Sequence, residues 1–279
     1  MPIHDQGYRR YAGLRGVRSR GWWVIARAAV RAQLGQRRVV LLLLLAWAPF
    51  LVRGVQLYAS ANFTQAAFLA PSPQMFRDFL DWQGIFVFFV TILVGAGLIA
   101  EDRRTNALPI YLSKPLTRLE YVTGKLAVLV VFLAFVTWVP ALLLLLLQVL
   151  FAGSTGFLRE HLFLVPALTI VSLVQVFVSG FAILALSALS RSRRFVSMLY
   201  AGVILFTSAM HDALQRMTGS RAWAWISPGD TIDIVADAAF RVGGEPAMPL
   251  PAAVAVIGAI VVASALVLER RVRGVEVVT

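Results

Sequence analysis

The chain contains no cysteine. That removes a disulfide framework, thiolate metal sites and thiol catalysis in one step. Charge is scarce too: charged residues make up 14% of the 279 positions, against roughly 25% in soluble domains. Nucleotide-binding and catalytic signatures are missing as well. Gly124-Lys125 is followed by Leu126, and position 119 is Leu, so the phosphate-loop pattern G-x-x-x-x-G-K-[ST] fails. Neither H-E-x-x-H nor G-x-S-x-G occurs, and His4, His161 and His211 are scattered along the chain. The expectation is a chain that is not an enzyme, carries no metal or cofactor and has no ATP site of its own.

What is present is apolar. Hydrophobic residues make up 59% of the chain and mean hydropathy is +0.78. The long apolar runs predict an all-α integral membrane protein of one domain, with six transmembrane helices at about 39–58, 80–100, 126–151, 164–189, 195–210 and 250–268. Gly95-Ala96-Gly97 permits close packing of the second, and Pro140 predicts a kink in the third. In the fourth, Ser172, Gln175 and Ser179 recur at i, i+3 and i+7. They should face other helices rather than lipid, either as interhelical glue or as the lining of a pathway. With the core of the second span taken from Gly84, Arg53, near one end of the first span, is the only charged residue within the six. Carriers driven by ion gradients keep a carboxylate or His at mid-membrane, so a self-contained secondary transporter or channel is the alternative reading. An intramembrane enzyme would need paired reactive side chains at that depth, and Gln148, Gln175 and the hydroxyl residues make a poor set.

The net charge of +12 is unevenly placed. Of 26 Lys and Arg residues, 20 fall in the N-terminal 38 residues, the 101–125 segment, the 191–194 turn and the tail 269–279. By the positive-inside rule these lie in the cytoplasm, which puts both termini there in a multi-pass protein of the plasma (inner) membrane. The charge is thus a topology signal with anionic lipid as a secondary attraction, and no nucleic acid is needed as a partner. Before the first span, Arg27, Arg31 and Arg38 share a narrow arc opposite Trp22, Ile25 and Ala29. With Trp23 beside them they predict an amphipathic helix lying in the bilayer interface. Residues 211–249 form the longest outer loop, where Trp223, Trp225 and the helix-like 231–240 suggest short helices dipping into the outer leaflet.

The charged, Pro-punctuated segment 101–125 interrupts this apolar pattern. Thr117 and Glu120 make a T-x-x-E capping box, with Leu116 and Tyr121 placed as a hydrophobic staple, so a helix should start at about 117 and run into the third span. Pro115 separates it from one or two helical turns exposing Leu108, Tyr111 and Leu112 beside Arg103, Arg104 and Lys114, a surface suited to docking in a groove.

Asp102, then Tyr111-Leu112-Ser113-x-Pro115-x-x-Arg118-x-x-Tyr121-x-x-Gly124-Lys125, resembles the loop between the second and third spans of ABC type-2 transporter permeases. The chain departs from that pattern at Asn106-Ala107, where Gly is usual, and by inserting Pro109. The resemblance implies the membrane subunit of an exporter, paired with a second permease copy as homo- or heterodimer. It also implies a separate cytosolic ATPase subunit that binds ATP and Mg. In such permeases the loop holds a coupling helix, an elbow helix precedes the first span, and re-entrant helices lie between the last two. On this chain the resemblance places Glu101, Asp102, Leu108, Tyr111, Leu112 and Lys114 against the ATPase. Pro115, Thr117, Arg118, Glu120, Tyr121, Gly124 and Lys125 would shape the elbow into the third span. The cargo stays open among lipid-like, drug-like, peptide and glycan molecules.

Overall fold

Among the described residues, six helical stretches are long and apolar enough to cross a membrane: Arg37–Asn62, Pro73–Arg104, Arg118–Ala152, Leu164–Leu189, Arg193–Thr218 and Leu250–Arg271. The computed structural model describes residues 21–107, 117–244 and 246–272, and among these every regular element is helical and none is a strand. A separate helix, Gly21–Leu34, precedes the first span, and a 3-10 turn at Arg221–Ile226 and a helix at Pro228–Phe240 separate the last two.

The fourth span is the hub, touching the second, third, fifth and sixth spans and the 228–240 helix. Its inward face mixes large residues such as Leu168, Ile183 and Leu184 with small ones, among them Ser172, Ser179, Gly180, Ala185, Ser187 and Ala188. Hydrocarbon offers no hydrophobic force between helices, so close approach of backbones over small side chains supplies the attraction. Gly95 of the second span shows how close: a Cβ there would stand 2.7 Å from Cγ2 of Ile183. The first, fifth and sixth spans lie at the periphery. Leu44, Val55, Met198, Phe206, Val254 and Val262 are each more than half exposed, on faces that a bilayer would cover.

Several helices differ from the sequence expectation. The leading helix stops at Leu34, and Gln36 is extended, so Arg38 belongs to the first span rather than to the Arg27 and Arg31 face. The second span begins at Pro73, because Pro73 occupies the first turn and Ser72 caps it, its Oγ accepting from the Met75 amide at 3.3 Å. It therefore includes Arg77, Asp78 and Asp81, which corrects the expectation that Arg53 alone is charged within the spans. The third span breaks at Thr137, one turn before Pro140, since the proline has no N–H for the carbonyl of Val136. The fifth helix runs on past Met210 to Thr218, where Gly219 ends it with φ of 67°. Hydropathy falls beyond Met210, but the helix stays amphipathic and keeps His211 buried.

Charge divides the bundle into two ends. One carries residues 101–107, 117–125 and 188–194 and the end of the sixth span. The other carries Arg77, Asp81 and the 228–240 helix.

Candidate functional site

At the basic end the second span loses its regular helix before it reaches the 101–125 segment. Residues Thr91–Gly95 form a π turn, and a new short helix starts at Ala100. Ser187 of the fourth span holds the break. Its buried Oγ accepts from the amides of Ile99 at 3.1 Å and Ala100 at 2.9 Å and donates to the carbonyl of Ala96 at 2.9 Å. Arg193 donates to the carbonyl of Leu93 at 2.6 Å, and Arg103 to that of Ala188. A Ser187→Ala protein strands two buried amides, so it is expected to lose about 1–2 kcal/mol of stability. Thermal denaturation checks this, and an unchanged melting point would mean the break holds without the hydroxyl.

The short helix delivers Asp102 to the start of the third span. Its Oδ2 lies 2.6 Å from Nζ of Lys125 and accepts from the Tyr121 hydroxyl at 2.7 Å. Lys125 also stands 5.4 Å over the Tyr121 ring. Tyr121 is fully buried and Lys125 nearly so, so the three side chains clamp the two helix ends across the connecting segment. The capping box is formed: the Thr117 amide donates to Glu120 Oε2 at 2.8 Å, and the Glu120 amide to Thr117 Oγ1 at 3.1 Å. Glu101 turns the other way and pairs with Arg104, whose Nε lies 3.1 Å from Oε1. Arg118 is exposed in the first turn. Leu108, Tyr111, Leu112, Lys114 and Pro115, with the staple residue Leu116, lie outside the described residues.

The leading helix crosses the third span at Gly124. A Cβ on Gly124 would sit 2.9 Å from the carbonyl oxygen of Trp22 and 3.0 Å from Cβ of Ile25, so only glycine lets the two backbones meet. Ala26 is buried there, Trp22 is half-buried and Trp23 is 54% exposed. Arg27 and Arg31 are exposed along the edge of a groove floored by Ala26, Val30, Leu126 and Val130. Thus the structure brings Trp22 and Gly124 into contact and leaves Arg38 on another helix.

The fourth-span row divides. Ser172 is buried and its Oγ has no partner among the described residues, whereas Gln175 and Ser179 face a cavity of about 610 Å³ between the second, fourth, fifth and sixth spans. At the acidic end of that cavity Arg77 donates from Nε to Asp237 at 2.7 Å and from a terminal nitrogen to Asp233 at 2.8 Å, with Asp81 3.8 Å away. These bonds pin the 228–240 helix to the second span. Beside them Nδ1 of His211 lies 3.0 Å from Asp230. The signal in the sequence was the pair Asp233 and Asp237 at i, i+4 on one helix face, with Arg77 and Asp81 at the same spacing. Nothing in the spacing alone tells that the two faces meet. Ser187 and Arg193 carry no local signal at all.

Partial burial pushes the Asp233 carboxyl up to about 6; Arg77 pulls it down, while Asp81, Asp230 and Asp237 add to the rise. The folded state therefore holds this proton more tightly than the unfolded one. Its contribution to stability is present at acid pH and is lost as pH rises from 3.8 through about 6. Asp233→Asn keeps the neutral form at every pH. It is expected to raise the melting temperature at about pH 7.5 and to raise it clearly less at about pH 5, where the carboxyl is largely protonated in the folded state. A shift of the same size at both would assign the effect to something other than this carboxyl.

The fold and these sites define a multi-pass, all-helical membrane protein. No protein-family model matches the chain, and no curated protein matches it.

Proposed function

We propose that the chain is the permease subunit of an ATP-driven exporter of the kind the 101–125 segment resembles, coupled through that segment to a separate ATPase. The observation that carries this reading is the clamp of Asp102 on Tyr121 and Lys125 beside a capped helix start, which makes one rigid piece of the second-span end and the helix Arg118–Val136. That helix is about 28 Å long, enough to carry a push at its Thr117 end deep into the bilayer. Closure of a nucleotide-bound ATPase dimer against residues 105–113 supplies the push, and two permeases tilt to open an outward path. ATP and Mg stay on the partner. The basic end lies in the cytoplasm of the plasma (inner) membrane, the helix 21–34 lies in the interface against headgroups, and the 221–240 helices sit in the outer leaflet.

The test is Thr117→Ala with Glu120→Ala, which removes both halves of the box at a cost of about 1 kcal/mol. The expected result is a complex that still assembles with its ATPase but shows reduced transport-coupled hydrolysis. Unchanged coupling would remove the mechanical role of the cap, and failure of any ATPase to co-purify would remove the partner.

A second reading, a self-contained carrier or channel, is favoured by one observation: Arg77 and Asp81 stand on a membrane-spanning helix beside a cavity. Transport into liposomes holding the purified chain alone, driven by an ion gradient, would select it.

A further inference from the structure

The fifth and sixth spans both lean on the fourth and scarcely touch one another. Between them the cavity follows the fourth span from Val171 to Leu189, about 27 Å at the helical rise. Its volume of about 610 Å³ is enough to take one alkyl chain laid along that length. The walls are apolar, with Val178, Leu186, Ile204, Ile260 and Val267 among them. Inside it the buried Oε1 of Gln175 has no hydrogen-bond partner among the described residues.

The acidic end of the slot is charged in one sense. Asp81 and Asp233 stand on its rim with side chains 62% and 42% exposed, so each offers carboxylate oxygen to an arriving group. Arg77 is only 10% exposed there, and its nitrogens are turned to Asp237, Asp233 and Asp81. Three carboxylates around one guanidinium leave the mouth net negative.

We propose that this slot binds a single-chain amphiphile with a cationic, ammonium-type head, the chain lying along the fourth span and the head at Asp81 and Asp233. An anionic or phosphate-bearing lipid is excluded by the same geometry, because its phosphate would meet the two carboxylates. The binding site stands on the slot alone; only the step from binding to export rests on the transport reading above, for which it names the cargo class.

The experiment uses the full chain in phosphatidylcholine nanodiscs, with protein-free nanodiscs subtracted. Radiolabelled hexadecyltrimethylammonium, a permanent cation, is the probe, and hexadecylphosphocholine and hexadecyl sulfate are the competitors. Saturable binding of the cation, displaced poorly by either competitor, is expected. Asp81→Lys, at an exposed position, should weaken it roughly tenfold, since an attraction becomes a repulsion. Ala182→Phe, which fills the slot from the fourth span, should abolish it. Equal displacement by the zwitterion would make the slot an ordinary lipid groove and overturn the proposal. Should Ala182→Phe fail to fold, Asp81→Lys decides, and unchanged affinity there overturns it as well. The assay uses no nucleotide and no partner chain, so its failure leaves the ATP-driven reading intact, and the reverse holds.

Discussion

Asp102→Ala is expected to destabilise the protein by about 3–5 kcal/mol, whereas Asp102→Leu combined with Lys125→Met should cost far less. The asymmetry comes from burial. The Lys125 side chain is 8% exposed and that of Asp102 16%, and their contact is 2.6 Å. Removing the carboxylate alone leaves an ammonium in an apolar surround, near Tyr121, with its ion pair gone. Removing both charges leaves apolar groups of similar length where water was already excluded. Thermal denaturation of Asp102→Leu, Lys125→Met and the double variant, read as a cycle, gives the coupling directly. If the double variant is as unstable as Asp102→Ala, the clamp is not what holds the two helix ends together. The same cycle bears on coupling, since Asp102 is the side chain through which the second-span end grips the third-span helix.

Gly124→Leu should be the most disruptive single change at the leading helix. A leucine there cannot be absorbed by a rotamer change in a neighbour, because the first atom its Cβ meets is the carbonyl oxygen of Trp22 at 2.9 Å, which is backbone. The helix 21–34 has to lift from the third span, at a cost near the upper end of the roughly 1–3 kcal/mol typical of overpacking. Lifting exposes Ala26 and opens the groove beside Arg27 and Arg31. Limited proteolysis before the first span reads this: cleavage within 21–36 should become several-fold faster in Gly124→Leu, with Gly124→Ala intermediate. Cleavage at the parent rate in both would mean the helix is not seated on Gly124.

The helical starts were the most legible part of the fold. Thr117 with Glu120, Ser72 before Pro73, and Ser227 before Pro228 are local devices, in which a side-chain oxygen meets an amide two or three residues on. Only the first of these entered the sequence reading, and hydropathy alone placed the second span's start too late. The break at Thr137 was anticipated through Pro140 but falls one turn earlier, where the unpaired carbonyl lies. The continuity from Trp22 to Arg38 was misread because a wheel assumes one unbroken helix, and Gly35-Gln36 interrupts it.

Apolar runs, caps and charge counts are properties of neighbouring residues, and from them the sequence by itself determined six long apolar helices and a charged segment between the second and third. Which face of each helix turns inward was decided only in three dimensions. Ser187 looks like any small residue until it stands against the broken end of the second span, and Arg77 reads as a loop charge until Asp233 and Asp237 reach it across the bundle. The reason is physical: in an apolar solvent helices associate through the fit of small surfaces and a few polar bonds, and such a fit belongs to pairs of helices rather than to either sequence alone.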